Sequence, residues 1–300
     1  MRLLLPCPWL LLGCAADPPC SVAPGALEIR QLDLRGPSLG EAAVVTLPGG
    51  GQLLIDVGND AHDGDLRDAL SGPVAWLLLT HRHEDLAGGL DVLVDELSQA
   101  TPIDSLGRWD LGDGVTLDLF LHDCTLRLED EDVDLCAEVP GMAEDENAMS
   151  SAGVLRYGDF SYLFAGDLTG GGKDTPDAES AVARYAPDLG RIDLLHLGHH
   201  GIRSASNQAW VDWLLPDDGR DKNALVGANG SYLSAPAQEV LDRVAPRLGA
   251  GSIWVTREGS MAGDHEAART LDQDVVVSVA DGGGAYAICG EDFEAIPAEP

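Results

Sequence analysis

Apolar residues recur along this chain in two different periods, which together predict an α/β protein. Short apolar runs bounded by Gly, Pro or Asp predict buried strands, as at Trp76–Leu79 and Ile192–Leu197. The Gly158-Asp159 pair predicts a hairpin between two further strands. Asp85–Ser98 instead predicts a helix, because its leucines fall three or four residues apart on one face: Leu86, Leu90, Leu93 and Leu97.

The same patterns predict the remaining elements. Gly107–Val115 is expected to be turn-rich, and Glu129–Glu146 to be an exposed acidic loop. Strands and helices alternate, with hairpins at the sheet edges, so we expect an α/β sandwich in a single domain over residues 27–290 with a tail at 291–300. The further strands are predicted at Leu27–Leu32 (an edge strand), Ala42–Leu47, Gln52–Val57, Val115–Leu121, Ala152–Tyr157, Ser161–Ala165, Leu225–Ala228, Ile253–Thr256, Val275–Val279 and Ala285–Cys289, and the further helices at Asp63–Leu70, Ala178–Tyr185, Gln208–Leu215 and Pro236–Ala245.

Composition narrows the class of protein. Hydrophobic residues make up 45% of the 300 residues, which supports a folded core and excludes a disordered chain. The formal net charge is −33. Such a charge repels polyanions, so tight binding of duplex nucleic acid is not expected, whereas metal cations are attracted. Solubility in a salty or extracellular setting explains the same charge without any binding role.

The N-terminus predicts export. Residues 1–13 pair a basic start with an apolar run too short to span a bilayer, as in a signal peptide. Leu11–Cys14 resembles a bacterial lipobox, which predicts a lipid on Cys14, a tether over 14–26 and a place in the bacterial cell envelope. An ordinary secretion signal is the alternative. Four further cysteines suit disulfides, with other pairings left open: Cys124–Cys136 and Cys20–Cys289.

Three predicted strand ends carry residues that bind metals. His81, His83 and Asp85 follow the first strand, Asp167 follows a second, and His199-His200 follow a third. Residues two apart in an extended segment point the same way, so His81 and His83 can converge on one ion. Imidazole and carboxylate ligands suit Zn²⁺, and also Fe or Mn. The joint occurrence predicts a metal site.

Each of these residues also has an ordinary structural interpretation. A Gly-Asp pair after a strand often forms a turn or helix cap, and a lone His is more often structural than a ligand. We interpret His196 as a core or edge residue and assign no role to His62, His122 or His265. From spacing, Asp85 can serve a second ion or orient water, and Asp167 can bridge two ions. Asp56 can orient a His ligand without binding the ion itself.

These motifs resemble the metallo-β-lactamase fold superfamily over nearly all of Leu27–Cys289, with the hydrolase domain of ComEC-type DNA-uptake proteins as the nearest branch. Thr80–Gly89 is similar to the H-x-H-x-D-H signature, and Leu194–Gly201 (LLHLGHHG) is similar to the late His motif. Leu53–Gly58 resembles the first Asp motif, and Tyr157–Asp167 resembles the hairpin that delivers the bridging Asp.

The resemblance implies a four-layer αββα sandwich holding one or two metal ions, Zn²⁺ above all. The implied ligands are His81, His83, Asp85, Asp167, His199 and His200. Of the last pair, one is expected to bind metal and the other to contact substrate; we favour His200 as the ligand and expect catalytic roles for Asp85 and His199. Departures from the family pattern weaken the second ion site: Leu86 replaces a His, Asn147 lies where many relatives have a His, and Ile202 and Ala235 replace a Ser and a His.

These observations predict an exported, metal-dependent hydrolase acting on a phosphodiester or related ester, with a small-molecule or phosphodiester substrate. The only expected membrane attachment is the lipid on Cys14, and the oligomeric state is left open. A degenerate member of the fold, weak or inactive and serving as a binding or structural surface lipoprotein, is the alternative that Leu86 favours.

Overall fold

A computed structural model describes Cys20 and residues 26–295 of the chain. The predicted signal peptide, Cys14 with its predicted lipid, and most of the predicted tether lie outside these residues. No helix in the described part is long and apolar enough to cross a membrane.

Two sheets form the centre of the fold. The first has the strand order β18-β17-β16-β1-β2-β3-β4-β5, and the second β15-β14-β13-β12-β11-β10-β7-β8-β9 with β6 added on β7. The strands of the first sheet are β1 (Leu27–Gln31), β2 (Ala43–Thr46), β3 (Gln52–Ile55), β4 (Val74–Leu78), β5 (Thr101–Pro102), β16 (Val275–Val279), β17 (Ala285–Ile288) and β18 (Glu291–Glu294). Those of the second are β6 (Gly107–Gly112), β7 (Val115–His122), β8 (Thr125–Arg127), β9 (Asp132–Asp134), β10 (Ala152–Tyr157), β11 (Phe160–Phe164), β12 (Leu194–His196), β13 (Asn223–Asn229), β14 (Ile253–Arg257) and β15 (Ala268–Thr270).

Short helices connect the strands and cover the outer faces. Single 3₁₀ turns lie between several of them, at Asp60–His62, Gly88–Asp91, Met142–Glu144, Gly172–Asp174, His199–Gly201 and Ala245–Arg247. The α-helices are α1 (Asp63–Ala69), α2 (Glu84–Ala87), α3 (Val94–Leu97), α4 (Leu135–Glu138), α5 (Ala178–Tyr185), α6 (Gln208–Leu214) and α7 (Gln238–Val244).

Three apolar clusters show how the layers stack. Side chains of both sheets, such as Leu53 and Leu117, share the central cluster. Leu54, one residue after Leu53, points the other way and packs with Leu66 of α1. Helices α5, α6 and α7 cover the second sheet, where Val182 belongs to the cluster. The order helix, sheet, sheet, helix confirms the predicted four-layer αββα sandwich.

Several predicted elements differ in the structure. Leu27–Leu32 was expected at an edge, but β1 lies between β16 and β2 because it pairs on both sides. The turn-rich Gly107–Val115 is mostly strand β6, paired to β7. The acidic segment Glu129–Glu146 contains β9 and α4 as well as loop. The expected tail begins with β18, which pairs with β17.

The helix predicted over Asp85–Ser98 is broken. Helix α2 ends at Ala87, a 3₁₀ turn covers Gly88–Asp91, and α3 begins at Val94. A Cβ on Gly89 would lie 2.1 Å from the carbonyl oxygen of Val57, so the chain bends where this glycine meets the neighbouring strand end. The leucine stripe still faces inward, with Leu86 and Leu93 buried.

Two disulfides match the expected pairs. Cys20 bonds Cys289 across a sequence separation of 269, and Cys124 bonds Cys136 across 12. The first joins the start of the described chain to the last strands. The second holds β8 beside α4.

Candidate metal centre

The candidate ligands lie together at one edge of the sandwich. Strands β3 and β4 run parallel in the first sheet, and β11, β12 and β13 run parallel in the second. Parallel strands end at the same edge of a sheet, and loops at that edge carry the polar residues that follow each apolar run. Asp56 follows β3, His81 follows β4, Asp167 follows β11 and His199 follows β12.

Asp167 lies at the centre of the cluster. Its Oδ2 is 3.8 Å from Nε2 of His81, and 3.6 Å from Nε2 of both His199 and His200. Its backbone amide donates to the hydroxyl of Ser150 at 3.1 Å, while Oδ1 is buried without a hydrogen-bond partner among the described residues. Three imidazole nitrogens therefore converge on one carboxylate.

His81 is oriented through Thr80. The Thr80 hydroxyl and backbone amide donate to Asp56, at 2.8 and 2.7 Å, and the same hydroxyl lies 3.3 Å from Nδ1 of His81. A hydroxyl that donates to a carboxylate is free to accept from Nδ1–H, which favours the His81 tautomer with an unprotonated Nε2. Asp56 thus lies where it can orient His81 through the Thr80 hydroxyl.

His83 lies beside His81. Nδ1 of His83 is 3.1 Å from Nε2 of His81, and the two rings meet edge to face. His83 is exposed and precedes α2 as its N-cap residue, while His81 is buried. Nε2 of the buried His81 and Nδ1 of the exposed His83 therefore lie side by side at the cluster.

His200 has a well-defined protonation pattern. Its Nδ1 faces two acceptors, the carbonyl of Gly227 at 3.1 Å and Oε2 of Glu41 at 2.6 Å, so Nδ1 carries a proton. Its Nε2 is 3.6 Å from Asp167 and 3.7 Å from Oδ2 of Asp85, and it has no hydrogen-bond partner in the described chain. This geometry favours His200 as a ligand through Nε2.

Glu41 was not predicted from the sequence. It lies in the connection from β1 to β2, is buried, and pairs with His196 as well as His200. Gln31 donates to it at 3.2 Å. His196, interpreted from the sequence as a core or edge residue, is therefore part of a buried carboxylate–imidazole group beneath the cluster.

Asp85 is held by a tyrosine that the sequence did not indicate. The Tyr232 hydroxyl donates to Oδ2 of Asp85 at 2.6 Å, and its ring stacks on His200 with centroids 3.6 Å apart. Tyr232 follows β13, far from Asp85 in sequence, so only packing brings the two together. Tyr232 therefore orients the side chains of both Asp85 and His200.

His199 sits differently from His200. It is partly exposed, its Nδ1 lies 2.8 Å from the hydroxyl of Ser204, and its Nε2 lies 3.3 Å from the amide of Asn147. Both histidines have positive φ, 51° and 55°. Left-handed backbone costs a non-glycine residue roughly 1–2 kcal/mol, and such strain concentrates at functional sites.

Leu86 occupies the interior rather than the cluster. It is 1% exposed and borders a cavity of about 20 Å³, shared with Glu41, Asp56 and His196. That volume accommodates about one water molecule. The remaining histidines bond elsewhere: His62 to Asn59, His122 to Ser151 and His265 to Ala267.

The electrostatics follow from burial and charge pairing. Burial lowers the pKa of His81 and His199, against the attraction of Asp167. Burial also opposes charge on Asp167 and on His200. However, the imidazoles of His200 and His199 hold the pKa of Asp167 below its usual range, and Asp167 and Glu41 raise the pKa of His200. The buried carboxylates and the His200 imidazole thus each favour the charged form of the other.

The residues present fit a divalent cation. Asp167 Oδ1 and His200 Nε2 are buried and unpartnered within the described chain, and both belong to the cluster. Glu41, Asp167 and His200 also offer ligand atoms within 4.8 Å of one another. Nitrogen and carboxylate oxygen donors suit Zn²⁺, Fe or Mn. The sequence-predicted residues His81, His83, Asp85, Asp167, His199 and His200 all lie in this one region.

Comparison with known proteins gives a fold likeness at low identity. No protein-family model and no curated protein sequence matches the chain. A metal-dependent hydrolase of the β-lactamase superfamily is 14% identical with a TM-score of 0.46, covering 76% of this chain and 95% of its own. The metallo-β-lactamase fold protein YhfI from Bacillus subtilis is 11% identical, with a TM-score of 0.39 over 80% and 88%. A diphosphatase of the PhnP family is 12% identical, with a TM-score of 0.40 over 90% and 99%.

Proposed function

We propose that this protein is a metal-dependent hydrolase whose ion or ions bind at the Asp167 cluster. The convergence of His81, His199 and His200 nitrogens on Asp167 carries this proposal, because two buried atoms of the cluster have no hydrogen-bond partner among residues 26–295. Imidazoles held this close to a carboxylate, in tautomers that leave Nε2 unprotonated, form a site prepared for a cation.

A bound divalent cation would lower the pKa of water and stabilise negative charge on the substrate. His81, His83, Asp167 and His200 would hold it, with Asp85 as a further ligand or as the group that orients water. Tyr232 keeps the Asp85 carboxylate in place. His199, partly exposed beside the cluster, is positioned to contact a substrate oxygen.

The proposed substrate is a phosphodiester or related ester. This choice rests on the sequence resemblance to ComEC-type hydrolase domains, which remains part of the proposal. The net charge of −33 disfavours a polyanionic duplex and favours a small substrate.

We further propose Zn²⁺ as the ion, and export with a lipid on Cys14. Cys14→Ser should release the protein from membranes, and unchanged fractionation would contradict the anchor.

Metal content provides the first test. Protein purified without added metal should contain Zn, Fe or Mn by mass spectrometry, and adding the metal to stripped protein should raise Tm because a ligand of the native state stabilises it. Less than about half an equivalent of metal per protein, together with no gain in Tm when metal is added, would contradict the proposal.

Hydrolysis provides the second test. A panel of chromogenic phosphodiesters should be cleaved by the wild type and much more slowly by His83→Ala. His265→Ala is the matched control, because in the described structure the His265 imidazole lies away from the cluster and accepts a hydrogen bond from the nearby Ala267 amide. Equal rates for wild type and His83→Ala would remove His83 from the mechanism.

One observation favours a second candidate, a binding protein on the same fold. Leu86, at the position where the resemblance implies a further ligand, is buried in the interior. A protein that retains stoichiometric metal but cleaves no ester in the panel would support this alternative.

A further inference from the structure

A second pocket adjoins the cluster on the side of His81. It has a volume of about 290 Å³ and lies between the end of β4, the end of β5 and the turn after β7. Leu79, Ile103 and Met149 form apolar parts of its wall. Because His81 borders both spaces, a substrate held at the cluster can extend into this pocket, which we name the His81 pocket.

Charges are distributed unevenly around the His81 pocket. Arg82, flanked in sequence by His81 and His83, lies on the side of the cluster, and its guanidinium has no ion-pair partner among the described residues. Asp104 and Asp123 lie on the opposite elements, after β5 and in the turn from β7 to β8. Glu146 accepts a hydrogen bond from the Arg82 backbone amide at 3.0 Å.

We propose that the His81 pocket binds the alkylammonium arm of a zwitterionic phosphodiester; this inference rests on the proposed hydrolysis at the cluster. Arg82 would contact the phosphate, the apolar wall would contact the methylenes, and Asp104 and Asp123 would contact the ammonium. A second anionic group is disfavoured there, because carboxylates outnumber the single guanidinium.

The residues that line the His81 pocket favour a primary over a quaternary ammonium group. Recognition of quaternary ammonium groups relies on aromatic faces, and no Trp, Tyr or Phe is among the residues lining this pocket in the described chain. Carboxylates instead accept hydrogen bonds from a primary ammonium. The pocket volume of about 290 Å³ is many times the roughly 10–15 Å³ that one water needs, which leaves room for an arm of about six heavy atoms.

Two esters test this inference: the zwitterionic 4-nitrophenyl 5-aminopentyl phosphate, and 4-nitrophenyl hexyl phosphate, whose arm has the same length but no charge. We expect kcat/KM to be about five-fold higher for the amine, because exposed ion pairs contribute modestly. In the double variant Asp104→Asn/Asp123→Asn this ratio should fall to about one. Asn is suited to position 123, where φ is 42°. Asp68→Asn/Asp130→Asn changes the net charge equally at exposed positions outside the pocket and should keep the wild-type ratio.

Two further variants separate the parts of the pocket. Arg82→Gln should raise KM for both esters, since both carry the phosphate. Met149→Trp should fill the pocket and lower kcat/KM for both long esters relative to methyl 4-nitrophenyl phosphate. Met149 is only half-buried, so the larger ring is compatible with folding.

A binding measurement tests the pocket assignment independently of whether the protein is a hydrolase. Calorimetry with 5-aminopentyl methyl phosphate and hexyl methyl phosphate measures the same preference without turnover. If the wild type cleaves no ester yet binds the amine more tightly, and the Asp104/Asp123 variant does not, the hydrolase proposal fails and the pocket assignment stands. Equal binding of the two probes, or equal kcat/KM for the two esters, would overturn the pocket assignment.

Discussion

Glu41 and Tyr232 are buried or half-buried polar residues that contact the candidate ligands. Glu41 places a carboxylate between the imidazoles of His196 and His200, and Tyr232 places a hydroxyl on Asp85. Burial opposes the charge of Glu41, yet the two histidines hold its pKa below the ordinary value. A buried ionised carboxylate with protonated imidazole nitrogens on both sides fixes the direction in which the free nitrogen of His200 points.

The Glu41→Gln variant should weaken metal binding. The amide removes the charge that holds Nδ1–H of His200, and loss of such a supporting contact typically costs 10–100-fold in metal affinity. The measurement is the zinc dissociation constant from chelator competition. Glu144→Gln, an exposed change in a 3₁₀ turn, is the control. An affinity within two-fold of the wild type would show that Glu41 has no such role.

The buried carboxyl group of Glu179 should make the stability of the protein depend on pH. Burial raises the pKa of Glu179 to about 8, against hydrogen bonds from the amides of Asn207 and Ser206 at 2.6 Å. The folded state therefore binds a proton more tightly than the unfolded state, whose pKa is near 4.5. The contribution of Glu179 to the free energy of unfolding is greatest below pH 4.5, falls as the pH rises to 8, and is constant above.

Glu179→Gln should remove that fall. Relative to the wild type, the free energy of unfolding of the variant should increase between pH 5 and pH 9, measured by urea titration at several pH values. Glu144→Gln should show a constant difference over the same range, because Glu144 is exposed. A constant difference for Glu179→Gln as well would mean that Glu179 is ionised throughout.

At the scale of the elements, close backbone approach decides where the helices stop. The leucine spacing predicts one helix from Asp85, but Gly89 contacts the carbonyl of Val57 and donates its amide to the carbonyl of Gly58 at 2.9 Å. The 3₁₀ turn at Gly88–Asp91 accommodates these contacts, and α2 keeps Asp85 and Leu86 facing inward. The leucine periodicity identifies the buried face of this segment, while the close approach of Val57, after β3, determines where the helix breaks.

Gly89→Ala should destabilise the fold by about 1–3 kcal/mol, because the new methyl group would overlap the Val57 carbonyl. Gly64→Ala is the matched control. Gly64 lies in α1 with open space around the position of a Cβ, so alanine should stabilise by about 0.4–1 kcal/mol. Chemical denaturation measures both. Equal effects of the two changes would contradict the close approach at Gly89.

At the scale of the whole molecule, net charge opposes folding and covalent links support it. Acidic residues number 51 against 18 basic ones, so the compact state carries a large self-repulsion. The Cys20–Cys289 disulfide joins the two ends of the described chain. Central and outer apolar clusters supply the driving force that overcomes the charge.

Salt should therefore stabilise this protein. Raising NaCl from 10 mM to 500 mM shortens the Debye length from about 30 Å to below 8 Å, which screens the repulsion. We expect Tm to rise monotonically over this range, measured by calorimetry on stripped protein so that metal binding does not contribute. A falling Tm would show that favourable ion pairs outweigh the net charge.

The sequence by itself determined the sandwich architecture and the positions of the candidate ligands. Apolar runs that end in His81, Asp167 and His199 mark strand ends, and strand ends of parallel segments meet at one edge because of backbone geometry alone. Only the tertiary structure revealed Glu41 and Tyr232, since neither ends an apolar run and each meets its partner across a fold contact that no local period encodes. Packing of the two sheets likewise decided which nitrogen of His200 donates, because one acceptor, Gly227, lies in β13 of the second sheet and the other, Glu41, lies in the connection between β1 and β2 of the first.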